Sequence, residues 1–473
     1  MRAEVAGRLD SGGAAADGAD HFLLRALELA LLVGLLALPY AWVAWWTGER
    51  GFLANTTAAL LAKAKTALAL GRPEAVGFTY PPLGVLLAAV AGDPPRLGYL
   101  GALLAAAAGA RLVAHLRAQQ WSGAAVVAVT AAVLYNPASL YLVVTDPATF
   151  LGLFLLYLAH RGYRQYLETG LTLPLLRCGL ALGLAFTATP ISIPTAALLG
   201  AALLGAAATR DCPWRATALA FVTLFPIAAA SLSWLYLSWL FTGEPVWRAG
   251  FGLLAPQAPV GRVLLAPLYL LALSLQIARR APELPGTLAV GMLAVVPALR
   301  PGVGTLELAV LVGWIAAAAL PTRLARAQAF TMIAAAALQL AFGLALETPE
   351  YRRWLHAMDR LAEPERVERT LAAQLAALPP GTVLADDRGS YRLLARMPTL
   401  KPLLLPADPR FEQALSAPAA YVSYLLLRPG AAPDSPLVRF RSRPPPGFRV
   451  AARTGGYVLY RRHDAPALAA PPP

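Results

Sequence analysis

The sequence is short of charge, and above all of acid. Of its 473 residues 14% are charged and 58% are hydrophobic, whereas about a quarter of an average soluble domain is charged. Ten of the 26 acids lie between Phe22 and Leu346, four precede them in the N-terminal arm, and twelve follow Leu346. This distribution excludes a single soluble domain and separates a lipid-solvated body from a water-solvated C-terminal tail.

Cysteine and the familiar enzyme motifs are also scarce. The two cysteines, Cys178 in an apolar run and Cys212 in a short basic loop, provide neither a disulfide framework nor a zinc-binding spacing. The five histidines are scattered, and there is no P-loop, no G-x-S-x-G, no H-E-x-x-H and no kinase signature. The common soluble enzyme classes are therefore excluded.

The net charge of +14 does not indicate a nucleic-acid partner, because no basic face with interleaved aromatic residues is present. The arginines instead mark one side of a membrane. If the N-terminus is cytoplasmic, each inner connection receives an arginine pair: Arg111 with Arg117, Arg161 with Arg164, Arg210 with Arg215, Arg279 with Arg280, and Arg323 with Arg326. The positive-inside rule then predicts a cytoplasmic N-terminus, an extracytoplasmic tail and residence in a bacterial plasma membrane.

Apolar runs predict an α-helical polytopic membrane protein with about eleven transmembrane helices. The predicted spans are roughly 29–46, 97–115, 123–142, 150–166, 173–189, 191–208, 217–241, 263–278, 284–299, 303–320 and 330–346. The first outer loop, 47–96, does not cross. Its segment 52–70 has the spacing of a helix lying on the membrane surface, and 80–91 is too short to span.

The chain divides into four parts. Residues 1–21 are predicted to be a disordered cytoplasmic arm, 22–346 the transmembrane domain with its outer loop, and 465–473 a disordered end. Residues 347–464 are predicted to form a small extracytoplasmic α/β domain. Its charged helix at 351–378 is followed by short strands at 382–385, 420–427, 448–452 and 457–461.

Two acids near the outer surface are candidates for catalysis, because an ionisable group at a membrane is costly unless it is used. Glu49, at the start of the first outer loop, is either an interfacial residue paired with Arg50 or a general base. Asp146 precedes Pro147 in a tight outer turn. It either caps the helix that follows or takes part in catalysis.

Further charged residues map to the same outer surface. Glu244 follows a Trp-rich helix end, where a structural role is the commoner one, and Glu307 lies about a turn inside its span, where Arg300 can pair with it. Arg248, Arg262 and Arg300 suit a lipid phosphate, since guanidinium binds phosphate bidentately. Each arginine alone is compatible with ordinary headgroup contact, but their coincidence beside the acids favours a phosphate site.

Several segments in order carry a resemblance to a known family. They are a first span followed by a long outer loop with an early acid, a surface helix ending in Gly71-Arg72, the element Tyr80-Pro81-Pro82, Thr145-Asp146 before an apolar span, and the segment 234–247. This arrangement resembles the GT-C superfamily of polyprenyl-phosphate-sugar-dependent glycosyltransferases. It is similar to the branch that holds protein O-mannosyltransferases and the lipid A aminoarabinose transferase.

The resemblance implies inverting transfer of a sugar from a polyprenyl-phosphate donor, on the outer face, to an acceptor hydroxyl or lipid that the sequence does not identify. Glu49 best matches the family's base, and Asp146 its second acid. The substrate is then expected to be bound by Tyr80, Glu244, Arg248, Arg262, Arg300 and Glu307. No Asp-x-Asp or Asp-Glu pair follows Glu49, which departs from the family pattern. No cofactor is assigned, and a divalent cation is left open.

Two other functions remain open at this point. The sparse acids of the first loop favour a non-catalytic membrane scaffold or assembly partner with the same fold. A transporter is less favoured, because paired inverted repeats and unwound helix pairs are not evident.

Overall fold

The structure is a computed structural model that describes residues 11–208, 213–243, 265–292, 305–321, 326–346, 348–357, 363–428, 435–441 and 443–467. Up to residue 346 these residues are almost entirely helical. The helices are α1 (Ser11–Arg50), α2 (Asn55–Leu70), α3 (Pro82–Ala91), α4 (Pro94–Ala118), α5 (Gly123–Leu134), α6 (Pro137–Thr145), α7 (Pro147–Thr169), α8 (Thr172–Phe186), α9 (Ser192–Ala208), α10 (Pro213–Thr242), α11 (Pro267–Arg279), α12 (Leu284–Met292), α13 (Thr305–Ala319) and α14 (Arg326–Phe342). Helix α1 begins within the arm expected to be disordered, where residues 14–16 are alanines with high helix propensity.

The described parts of the predicted spans fall mainly on these helices, whereas 263–264, 293–299 and 303–304 lie outside the described residues. Span 123–142 is divided between α5 and α6, which are bent by 53°. At the break Asn136 caps α6 and donates a 2.6 Å hydrogen bond to the Gln339 carbonyl. In the described part of the chain four helices are long and apolar enough to cross a membrane, or five with the bent pair. The count of about eleven stays a prediction.

The outer helices of the bundle expose many large apolar side chains, whose exposure to water would be unfavourable. Leu35 on α1 and Phe221 on α10 are each 65% exposed, and neighbouring large apolar residues on both helices are similarly open. By contrast α13 is buried on nearly every side, with Trp314 fully enclosed. Lipid therefore accounts for the exposed surface, and α13 forms the centre of the bundle.

Glycine allows two of the inner helices to approach closely. A Cβ atom on Gly101 of α4 would lie 2.1 Å from the backbone oxygen of Val143 on α6. Such close backbone contact through a small residue is typical of helix pairs in membranes. It fixes the outer end of α6, and therefore the turn at Asp146 that follows it.

The tail is a small α/β unit, as the sequence predicts. It contains helices α15 (Pro349–Ala357), α16 (Glu363–Ala376), α17 (Asp387–Arg396), α18 (Phe411–Ser416) and α19 (Pro418–Tyr421), and strands β1 (Val383–Leu384), β2 (Leu403–Leu404), β3 (Tyr424–Leu427), β4 (Phe448–Thr454) and β5 (Tyr457–Arg462). The sheet order is β2-β1-β3-β5-β4. Strand β1 runs parallel to β2 and β3, whereas β5 is antiparallel to β3 and β4.

Four strands of the tail were predicted, while β2 and the division of the first helix into α15 and α16 were not. One face of the sheet packs against α16 and α17, and Ala62 of α2 joins that core. The other face packs against Phe411 and neighbouring residues of α18. The tail is therefore docked on the first outer loop through α17.

Candidate functional site

A cavity lies at the end of the bundle that carries the first outer loop. It is a small, partly open cleft with about 20 Å³ of enclosed space, and it is lined by the last turn of α1, the loop into α2, the start of α4 and the end of α6. The residues that line it are Ala44, Thr47, Gly48, Phe52, Leu53, Ala54, Thr57, Pro94, Pro95, Val144 and Thr145. The Thr57 hydroxyl donates to the Thr145 carbonyl, so that α2 is tied to the residue before Asp146.

Asp146 caps helix α7, which confirms the structural interpretation of this residue. Its Oδ1 accepts a 3.1 Å hydrogen bond from the Thr149 amide, and its Oδ2 accepts a 2.8 Å bond from the Thr149 hydroxyl. Both oxygens are thus engaged by the first turn of α7. The residue as a whole is half-buried.

Asp146 is one of three neighbouring carboxylates, which we call the acid group: Asp146, Glu307 and Glu350. Glu307, in the first turn of α13, lies within electrostatic range of the other two. The buried Tyr141 ring on α6 lies beside the group and is influenced by Glu307 and Glu350. Three separate segments, the α6–α7 turn, α13 and the tail helix α15, therefore converge at one point.

Glu350 joins the tail to the first outer loop at this point. Its Oε1 accepts a hydrogen bond from the Asn55 amide at the start of α2. Burial raises the pKa of Glu350, while the Asn55 amide and the charges of Arg353 and Arg392 act in the opposite direction. The Arg353 guanidinium lies 4.0 Å from Glu350 and 3.9 Å from Glu365, and its side chain is 45% exposed. Arg353 is thus a partly exposed cation beside the acids.

A buried arginine of the tail holds the backbone of the first outer loop. Arg392 of α17 donates from Nη1 to the Leu53 carbonyl at 2.7 Å and to Asn55 Oδ1 at 2.9 Å. Its remaining nitrogens pair with Glu368 at 2.9 Å and with Glu365 at 3.4 Å. The charge is therefore fully compensated in the interior, as a buried guanidinium requires.

A second set of contacts fixes α2 against the C-terminal end of α17. Lys65 Nζ donates to the carbonyls of Ala395 at 2.7 Å and Met397 at 2.8 Å. These carbonyls end α17, where a cation also opposes the negative pole of the helix dipole. Burial lowers the pKa of Lys65 from its ordinary value. The helix expected on the membrane surface is thus enclosed between the tail and α3.

Glu49 is not brought into the acid group. It lies at the C-terminal end of α1 with an exposed side chain. In the described part of the chain its carboxylate makes no hydrogen bond or ion pair, and Arg50 instead lies 5.6 Å from the Trp46 ring. The expected pairing of Glu49 with Arg50 is not formed.

The remaining predicted site residues lie elsewhere. Tyr80 is buried beside Phe186 at a ring distance of 4.8 Å and Trp234 at 6.2 Å, where Phe78 also stacks on Phe241. This aromatic cluster joins the first outer loop to the outer end of α10. Glu244, Arg248, Arg262 and Arg300 lie outside the described residues, so their assignment to the substrate stays a prediction.

Sequence reasoning missed Glu350, Arg353 and Arg392, because it treated the charges of the tail as a solvated surface. One signal was available, since Glu350 and Arg353 are spaced three apart directly after the last apolar run. Across the described residues, no three His, Cys, Asp or Glu side chains are arranged to hold a metal ion.

The fold of this chain is similar to that of solved structures. The structure of ArnT from Cupriavidus metallidurans bound to undecaprenyl phosphate superposes with a TM-score of 0.58 at 15% identity, over 90% of this chain and 97% of that one. The apo state of the same protein gives 0.60 at 15% identity, over 92% and 98%. The chain has the GT-C fold. No family model and no curated protein sequence matches it.

The GT-C likeness covers the bundle and the tail together, because nearly the whole of both chains is aligned. At 15% identity it extends to the fold, and the chemistry of this chain has to be argued from its own residues.

Proposed function

We propose that this chain is a membrane glycosyltransferase that moves a sugar from a polyprenyl-phosphate donor to an acceptor on the extracytoplasmic face, with inversion. The observation that carries the proposal is the coincidence of the GT-C fold with the acid group beneath the first outer loop. The solved relative was crystallised with undecaprenyl phosphate, which supports a lipid-phosphate donor here.

Glu307 is the base that best fits this geometry. Asp146 has both oxygens engaged by Thr149, so it suits an orienting role. Glu307 takes the proton of the acceptor hydroxyl while the oxygen of that hydroxyl forms a bond to the anomeric carbon of the sugar. The bond from that carbon to the phosphate oxygen breaks, and the lipid phosphate leaves with the electron pair.

Cations then stabilise the departing phosphate. Arg353 is the partly exposed cation beside the acids, and Arg248, Arg262 and Arg300 are proposed to add to it from the outer surface. The aromatic cluster around Tyr80 offers an apolar wall for the isoprenoid chain of the donor, since isoprenoid chains pack well on aromatic rings.

The identity of the catalytic base is tested with variants of Glu307, Asp146 and Glu49. The wild-type protein in lipid nanodiscs is supplied with a panel of undecaprenyl-phosphate-linked sugars and an envelope extract as acceptor source. Release of undecaprenyl phosphate is measured by mass spectrometry. We expect Glu307→Gln to lower the rate about a hundredfold or more, Asp146→Asn to lower it less, and Glu49→Gln to leave it near wild type.

Glu74→Gln is the matched control, because Glu74 is also an exposed acid of the first outer loop. Loss of activity in Glu49→Gln with activity retained in Glu307→Gln would return the role of base to Glu49, as the resemblance implies. Absence of release from every sugar with a folded protein would reject the glycosyltransferase and favour the scaffold.

The non-catalytic scaffold is the second candidate, and one observation favours it. Glu49, which best matches the family's base, is exposed and without a polar contact in the described structure. In that case, the acid group serves only to join the tail to the bundle, and none of the acid variants changes a glycosyl product.

A further inference from the structure

A second cleft lies near the C-terminal ends of α7, α11 and α13. It is partly open and contains about 70 Å³ of space, which corresponds to roughly five water molecules. Half of its lining is polar or charged, and these residues are Arg164, Gln276, Arg279 and Glu283. The cleft can therefore hold a small polar group.

The cleft is remote from the acid group. Asp146 precedes α7, whereas Arg164 lies in the last two turns of that helix, so the two residues are roughly 27 Å apart along its axis at about 1.5 Å per residue. By the predicted topology this end of the bundle faces the cytoplasm, and Arg164 and Arg279 come from two different inner arginine pairs. The cleft is thus separate from the site proposed for glycosyl transfer.

Arg164 presents a hydrogen-bond donor to the cleft. Its Nη1 donates to the carbonyls of Ala318 and Leu320 at 2.7 Å each, and its Nε donates to Glu168 at 2.8 Å. The residue is only 6% exposed, yet its Nη2 donates to no described residue and is not sealed from water. Since a guanidinium carries donors on all three nitrogens, those of Nη2 remain available to an occupant.

Glu283 presents an acceptor to the same cleft. It is 8% exposed, and its ion pair among the described residues is with Arg164, whose Nε lies 3.7 Å from Glu283 Oε1. That distance is too long for a hydrogen bond, so the carboxylate accepts none from the side chains that the structure describes, and its oxygens are not sealed from water. A buried carboxylate needs such donors, and the cleft is the side from which they can come.

The cleft therefore offers both signs of charge to an occupant. Arg279, at the end of α11, is exposed and adds a second guanidinium to that of Arg164. Guanidinium groups suit a phosphate, whereas Glu283 suits an ammonium group, which can only donate. A phosphate alone would be repelled by Glu283 and an ammonium alone by the arginines, so a group that carries both charges matches the lining best.

We propose that Arg164, Arg279 and Glu283 form a binding site for the headgroup of a zwitterionic phospholipid that carries a phosphate and a primary ammonium. Pockets with basic residues between transmembrane helices bind lipid headgroups. The acyl chains leave through the open side of the cleft. Leu270 and Ile277 of α11, seven positions apart on one helix face, are 44% and 60% exposed and provide an apolar surface for them.

The test is the choice of lipid by the purified full-length protein in detergent, measured by native mass spectrometry. The probes are equimolar dioleoyl phosphatidylethanolamine, phosphatidylglycerol and phosphatidylcholine. Phosphatidylglycerol has the phosphate without the ammonium, and the quaternary nitrogen of phosphatidylcholine has no N–H to donate. We expect phosphatidylethanolamine to bind in preference to both. We expect Glu283→Gln to lower its preference over phosphatidylglycerol about tenfold or more, because the neutral amide no longer attracts the ammonium.

Glu168→Gln is the matched control, since Glu168 also pairs with Arg164 but does not line the cleft, and it should leave the preference unchanged. Arg279→Gln tests the site even if Glu283→Gln fails to fold. We expect it to weaken the binding of phosphatidylethanolamine and phosphatidylglycerol alike, because both phosphates lose a cation. Arg280→Gln removes the neighbouring exposed arginine, which does not line the cleft, and should have no effect.

Three results would overturn the proposal. Equal binding of the three lipids by wild type would leave water as the occupant of the cleft. A stronger binding of phosphatidylglycerol would mean that the arginines hold an anionic headgroup and that Glu283 plays no part. A preference for phosphatidylethanolamine that survives both Glu283→Gln and Arg279→Gln would place its origin elsewhere on the protein.

Discussion

At the scale of single residues, Arg392 makes hydrogen bonds to several partners on both sides of the junction of tail and bundle. Its guanidinium serves Leu53, Asn55, Glu365 and Glu368 at once. If it is removed, two buried carboxylates lose a partner and a loop carbonyl loses its donor. The cost of leaving such charges unpaired is large even where the intact pair contributes little.

We therefore expect Arg392→Met to destabilise the junction by about 3 kcal/mol or more. Arg410→Met is the control, because the Arg410–Asp408 pair lies on the surface with Arg410 60% exposed, and such pairs contribute at most about 1 kcal/mol. Thermal unfolding of the purified protein measures both changes. Equal losses from the two variants would mean that Arg392 does not hold the loop.

Glu350 gives the same junction a dependence on pH. Burial raises its pKa in the folded protein above the ordinary value of 4.5, so the folded state holds the proton more tightly than the unfolded state. Stability from this group is present below pH 4.5 and is lost as the pH rises through the raised pKa. We expect the melting temperature of Glu350→Gln to vary less across this interval than that of wild type. An unchanged profile would exclude Glu350 as the titrating group.

At the scale of elements, the contact between α4 and α6 sets where the turn at Asp146 lies. Gly101 is the residue that permits it, because any side chain there meets the Val143 carbonyl. Backbone cannot move aside as a flexible side chain can, so the helices must separate.

Gly101→Ala is expected to destabilise the bundle by about 1–3 kcal/mol and to reduce any activity that depends on Asp146. Gly34→Ala on α1 is the matched control, since a Cβ there meets nothing within 4 Å. That variant is expected to be neutral or slightly stabilising, because alanine is the better helix former. Thermal unfolding distinguishes them, and a neutral Gly101→Ala would show that α4 and α6 are not in close contact.

Helix positions could be predicted from the sequence because long hydrophobic runs are typical of helices buried in a bundle or facing lipid; the orientation inferred from the arginine pairs stays a prediction. The bend between α5 and α6 was missed, although Pro137 after Asn136 is a local signal for a helix break; only the hydrogen bond from Asn136 to a carbonyl of α14 depends on a distant contact. Two of the three members of the acid group, Asp146 and Glu307, were named as site residues from the sequence. Asp146 and Glu307 lie in or beside apolar segments where an acid is conspicuous, whereas Glu350 lies among many tail charges and is singled out only by its contact with Asn55.

At the scale of the whole molecule, the tail and the bundle share one interface built on the first outer loop. The charges of the tail are divided accordingly. Residues 347–427 contain ten acids and ten basic residues, several of which pair at the interface, whereas residues 428–464 contain eight arginines and two aspartates. The segment 347–427, in which the charges balance, includes the helix that packs on α2. The excess positive charge lies in the segment 428–464, which contains the last two strands.

A chain ending after Leu346 is therefore expected to retain its membrane helices but lose the order of its first outer loop. Limited proteolysis with trypsin measures this, since Lys63 and Lys65 are half-buried in the intact protein and are expected to become more accessible. A chain ending after Asp464 keeps every element of the sheet and should resist like wild type. Equal resistance of the shorter chain would show that the loop is ordered by the bundle alone.

The contacts of Arg392 and Arg396 with Leu53 and Gly51 also bear on biosynthesis. These partners are separated by 339 and 345 positions in the chain, so they can meet only after that many further residues have been synthesised. The first loop to emerge is therefore among the last to acquire its final shape. During that interval the first outer loop lacks the hydrogen bonds by which Arg392 and Arg396 hold its backbone.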